Sequence, residues 1–64
     1  MPDIEVQELF ARLTGQFEDA AALAAEGQRA RLTKEIAVTL LREIRAHIDG
    51  TTRSLAEIEQ RFMT

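Results

Sequence analysis

Along the first part of the chain apolar residues return at alternating steps of three and four: Phe10, Leu13, Phe17, Ala20 and Ala24, with Val6 and Leu9 widening the stripe. That period marks one face of an amphipathic helix. With Asp3 as N-cap and Glu5 in the first turn, it predicts a helix over about 4–26. Gly15 lies inside it at a cost of about 1 kcal/mol against Ala, but the phase runs through without slipping, and we read the glycine as serving a close helix approach. A second stripe, Ile36, Ala37, Leu40, Leu41, Ile44 and Ile48, predicts a helix over about 29–49. Carried forward from Phe17 and Ala24, the first stripe's phase lands on Arg31, Val38 and Arg45, two of them charged, so the phase slip together with Gly27 predicts a turn there. Asp49-Gly50 reads as a stop, with Gly50 suited to the left-handed position past a helix end. Ser54 and Glu57 form a capping box, and Leu55, Ile58 and Phe62 form a short stripe, which predicts a third helix over about 55–63.

Folding the chain back at Gly27 pairs residues whose numbers total about 54, as in an αα-hairpin. Phe10 then faces Ile44, Leu13 faces Leu41, Phe17 faces Ala37 and Ala24 faces Ala30, so large meets large far from the turn and small meets small beside it. The expected fold is all-α: one domain over residues 1–64, an antiparallel helical hairpin with a short third helix, assembled as a dimeric four-helix-type bundle.

The chain's length drives the expectation of a dimer. A 64-residue chain buries a modest share of its surface, and without Cys it has neither a disulfide framework nor a thiolate metal site to brace it. Covering the stripes with a second subunit supplies the missing burial. The oligomer and core candidates are Phe10, Leu13, Phe17, Ala37, Leu40, Leu41, Ile44, Ile48, Leu55, Ile58 and Phe62. No signal peptide and no apolar run of membrane-spanning length is legible, so a soluble cytoplasmic protein is expected.

The net charge of −3 is unevenly divided: residues 1–26 carry six acids against Arg12 alone, for −5, whereas residues 27–64 carry +2. Complementary halves suit helices packed side by side better than they suit a polyanion. Arg29, Arg31 and Lys34 cluster where the second helix is expected to begin, an end at which the macrodipole disfavours cations. They are the partner-docking candidates, directed at an acidic surface on another protein or on the first helix of another copy.

His47 is the single histidine, and with Glu43 it forms an i, i+4 pair. The di-iron helical pattern needs an i, i+3 Glu and His with further carboxylates, so this spacing does not fit it. "AHIDG" resembles the helix-borne His of histidine phosphotransfer domains, although Asp49 stands where that family carries a cation. "RSLAEIEQRF" resembles the first helix of helix-turn-helix modules, but Glu59 replaces the usual small residue and no recognition helix follows before Thr64. No Ser/His/Asp set, phosphate loop or convergent carboxylate pair is legible, so no catalytic, cofactor or metal residue is assigned. The expected function is that of a small non-catalytic protein–protein interaction or regulatory module acting as a homo-oligomer. A DNA-associated regulator, or a metal or phosphoryl-transfer role through His47, is the alternative.

Overall fold

The computed structural model describes residues 4–63 and places them in two helices, α1 (Ile4–Glu26) and α2 (Lys34–Phe62), packed antiparallel into a rod of 51 × 17 × 10 Å. The expected hairpin is present. The Asp3 cap expected for α1 lies outside the described residues. α1 unwinds at its end through i to i−3 hydrogen bonds, in which the amides of Gly27, Gln28 and Arg29 donate to the carbonyls of Ala24, Ala25 and Glu26. The chain re-enters a helix at Thr33, whose extended backbone and Oγ1, accepting from the Ile36 amide at 3.2 Å, make it the N-cap of α2.

Several expectations are corrected. α2 begins at Lys34, not near residue 29, so Arg29 and Arg31 belong to the turn. There is no separate third helix, because α2 continues for 29 residues through Asp49, Gly50 and Ser54. Gly50 has no positive φ, and Ser54 is a buried mid-helix residue instead of a cap. The weak point holds because packing against α1 outweighs the roughly 1 kcal/mol that a helical glycine costs. Thr51 and Thr52 also satisfy their hydroxyls within the helix by donating to the carbonyls of His47 (2.8 Å) and Ile48 (3.0 Å).

The third correction concerns register. An inward stripe runs through Val6, Leu9, Leu13, Gln16, Ala20 and Leu23 on α1 to Gly27 just past its end, and through Ala37, Leu40, Ile44, His47, Thr51, Ser54 and Ile58 on α2, with Gly15, Ile36 and Gly50 half-buried beside it. Both sets step by three and four without interruption, which is the seam of a two-stranded coiled coil. Leu9, Leu13 and Ile58 form one buried cluster, Gln16 lies against Gly50, and Gly27 lies against Leu40. Facing residue numbers therefore total about 67 instead of about 54. The turn is wider than a fold at Gly27, and α2 runs on past the expected stop, so α1 pairs about 13 residues further along it.

The expected close approach at Gly15 is absent: a Cβ there would meet nothing within 4 Å. Two ion pairs bridge the helices across the seam, Arg12 to Glu57 at 2.8 Å and Arg61 to Glu5. No helix among the described residues is long and apolar enough to cross a membrane.

Candidate interaction surface

The residues expected to form core or interface separate into two sets. Leu13, Leu40 and Ile58 are buried on the seam, where Ala37 and Ile44 are half-buried. Phe10, Phe17, Leu41, Ile48, Leu55 and Phe62 are exposed, with Leu41 at 65% and Phe62 at 69%. Their spacing explains the division. Leu41, Ile48, Leu55 and Phe62 recur every seven residues, as do Phe10 and Phe17, and each follows an inward residue by one position, except Phe62, which stands four after Ile58.

In an antiparallel pair, positions just after the seam on both helices fall on the same flank, and positions just before it fall on the other. The Arg12–Glu57 bridge joins two residues that immediately precede Leu13 and Ile58, and it marks the polar flank. The six large apolar side chains therefore share the opposite flank. Val38, also exposed, extends it toward the turn. Large apolar side chains exposed together on one flank are more than the singly scattered ones normal for a protein surface.

The exposed area is large for the chain's mass. A compact monomer of this mass, 7.2 kDa, exposes about 4,100 Å². The hairpin exposes 5247 Å², an excess of roughly 1,100 Å² over that expectation, against the ~800 Å² that each partner contributes to a standard interface. Among the described residues only Leu9, Leu13, Leu40 and Ile58 are buried apolar residues, and no side chain is fully enclosed.

At the turn, Arg29, Arg31 and Lys34 are exposed at the tip of the rod, and none of them forms an ion pair among the described residues. The tip explains why cations are tolerated there. Arg29 and Arg31 follow the C-terminal, negative end of α1 as closely as they precede the positive end of α2, so the two dipoles oppose each other where these residues sit.

His47 is half-buried on the seam, with Nδ1 2.9 Å from the Glu43 carbonyl. It borders a groove of about 570 Å³ on the polar flank, which Asp19, Glu26, Glu43, Ala22, Leu23 and Ala46 also line. Among the described residues no group of three metal-ligating side chains converges. The "RSLAEIEQRF" segment forms the final turns of α2 and is not a helix of its own.

Sequence reasoning found the apolar residues but not their division into seam and flank. The seven-residue recurrence of Leu41, Ile48, Leu55 and Phe62 carried that signal, and the polar seam residues Gln16, His47, Thr51 and Ser54 concealed it. The chain matches no protein-family model, no curated protein and no solved structure.

Proposed function

We propose that this chain is a small, non-catalytic, cytoplasmic interaction module that acts as a homo-oligomer through its apolar flank and presents its cationic tip to an acidic protein surface. The observation that carries the reading is the alignment of Phe10, Phe17, Leu41, Ile48, Leu55 and Phe62, all exposed, along one side of a rod that buries four apolar residues among those described. Two such flanks brought together give a four-helix core, which suits helices whose inward stripe is continued by a second stripe one position on. The tip stays clear of that flank, so self-association leaves Arg29, Arg31 and Lys34 available to a partner.

Light scattering at micromolar concentration tests the reading. A mass of about twice the chain, with a melting temperature that rises with protein concentration, is expected. A monomer whose cooperative melt is independent of concentration overturns it.

A further inference from the structure

The apolar flank is compatible with two two-fold dimers. In one, the rods lie with their tips together and α1 covers the partner's α2. In the other, they lie head to tail and each helix covers its own counterpart. We infer that a second copy packs head to tail, α2 against α2, about a two-fold axis near Thr52. The inference rests on the proposed self-association and specifies its geometry.

An isologous interface requires a surface that is complementary to itself after inversion of direction. The flank of α2 meets that requirement. Its four large apolar residues are evenly spaced about a midpoint between Ile48 and Leu55, so an inverted copy places Leu41 opposite the partner's Phe62 and Ile48 opposite the partner's Leu55. The rim of this stripe, on the side away from α1, carries Val38, Arg45, Thr52 and Glu59. Inversion about Thr52 brings Arg45 onto the partner's Glu59 and Glu59 onto the partner's Arg45. Neither residue has an ion pair within the hairpin among the described residues. Opposite charges across the rim select register and direction.

On α1 the corresponding rim residues are Gln7, Thr14 and Ala21, which are uncharged. They offer Arg45 and Glu59 nothing in the tips-together dimer. That arrangement also sets the Arg29, Arg31 and Lys34 cluster of one copy beside the same three cations of the other, and like charges across an interface are costly. Head to tail, the clusters lie at opposite ends of the dimer, tens of ångströms apart and beyond screening distance.

The chain has no cysteine, so single introduced cysteines report the arrangement directly. Thr52→Cys at the centre and Gln28→Cys at the tip, both at exposed positions, are each oxidised under mild conditions at micromolar concentration. Efficient disulfide linkage at position 52 and none at position 28 is expected. A dimer that does not link at 52, or that links at 28 as readily, overturns the arrangement but leaves self-association standing, whereas a monomer throughout overturns both. In sedimentation equilibrium, Arg45→Glu should weaken the dimer at least about tenfold, and adding Glu59→Arg should restore most of the loss. A double variant as weak as the single one overturns the pairing of these two residues and with it the head-to-tail register.

Discussion

The amide end of Gln16 rests against the bare Cα of Gly50: a Cβ at position 50 would lie 3.3 Å from Gln16 Nε2 and 3.8 Å from an Arg53 guanidinium nitrogen. This contact occupies the middle of the seam, where Thr51 and Ser54 are buried and the Gln16 Oε1 is buried without a hydrogen-bond partner. The stretch that looks least helical in the sequence thus lies within α2 against a side chain from the other helix.

Two opposed effects decide what Gly50→Ala does. A helical Gly-to-Ala change is worth about 1 kcal/mol, while Gln16 must retreat by a few tenths of an ångström, which the far end of a flexible side chain does cheaply. We expect a net gain of about 0.5–1 kcal/mol, seen as a melting temperature several degrees higher. A fall in melting temperature would show that the position of Gln16 is fixed more firmly than this contact implies.

Gly15→Ala is the cleaner companion, since open space surrounds the added methyl and only the backbone entropy and propensity terms change. Thermal denaturation should show a gain of about 1 kcal/mol, with the dissociation constant for self-association unchanged.

The hairpin, the extent of α1 and the turn near Gly27 were legible because apolar period and phase are strong signals over 20 or so residues. Register was not. Phe10 and Phe17 drew the first stripe toward the exposed flank, since bulk and hydrophobicity do not distinguish a side chain that faces α2 from one that faces away from it. Asp49-Gly50 and Ser54 read as a stop and a cap because each favours such positions in isolation, and tertiary packing overrode those preferences. The tip cations were legible as a cluster. Their position in the turn depends on Thr33 acting as the cap, which local composition around Gly27 obscured.

Truncations on the seam and on the flank should separate folding from association. Leu13→Ala and Ile58→Ala remove buried contacts within one hairpin and should cost about 2–5 kcal/mol at every protein concentration. Leu41→Ala and Phe62→Ala touch side chains that are exposed in the hairpin, so no core-truncation penalty applies within one chain. Their effect should appear as a raised dissociation constant for the oligomer. Circular dichroism across a dilution series, read beside sedimentation, checks this; identical concentration dependence in all four variants would refute the division into seam and flank.

Reversal of Arg29, Arg31 and Lys34 to Glu tests the tip. All three are exposed and unpaired among the described residues, and exposed charges contribute less than about 1 kcal/mol each, so helicity should persist. Lys34→Glu even places an acid in the first turn of α2, where the dipole favours it by a few tenths of a kcal/mol. Oligomer mass should also persist, because the apolar flank does not include the tip and the proposed head-to-tail dimer holds the two tips apart. Capture of an acidic protein from cell extract should be lost. In the unmodified protein that capture should weaken between 50 and about 300 mM salt, as screening over about 10 Å at 0.1 M requires. A reversal that dissociates the oligomer, with rescue by basic residues at Glu18, Asp19 and Glu26, would instead place the cations against α1 of a neighbouring copy. One that alters neither mass nor capture would reduce the cluster to a solvated turn.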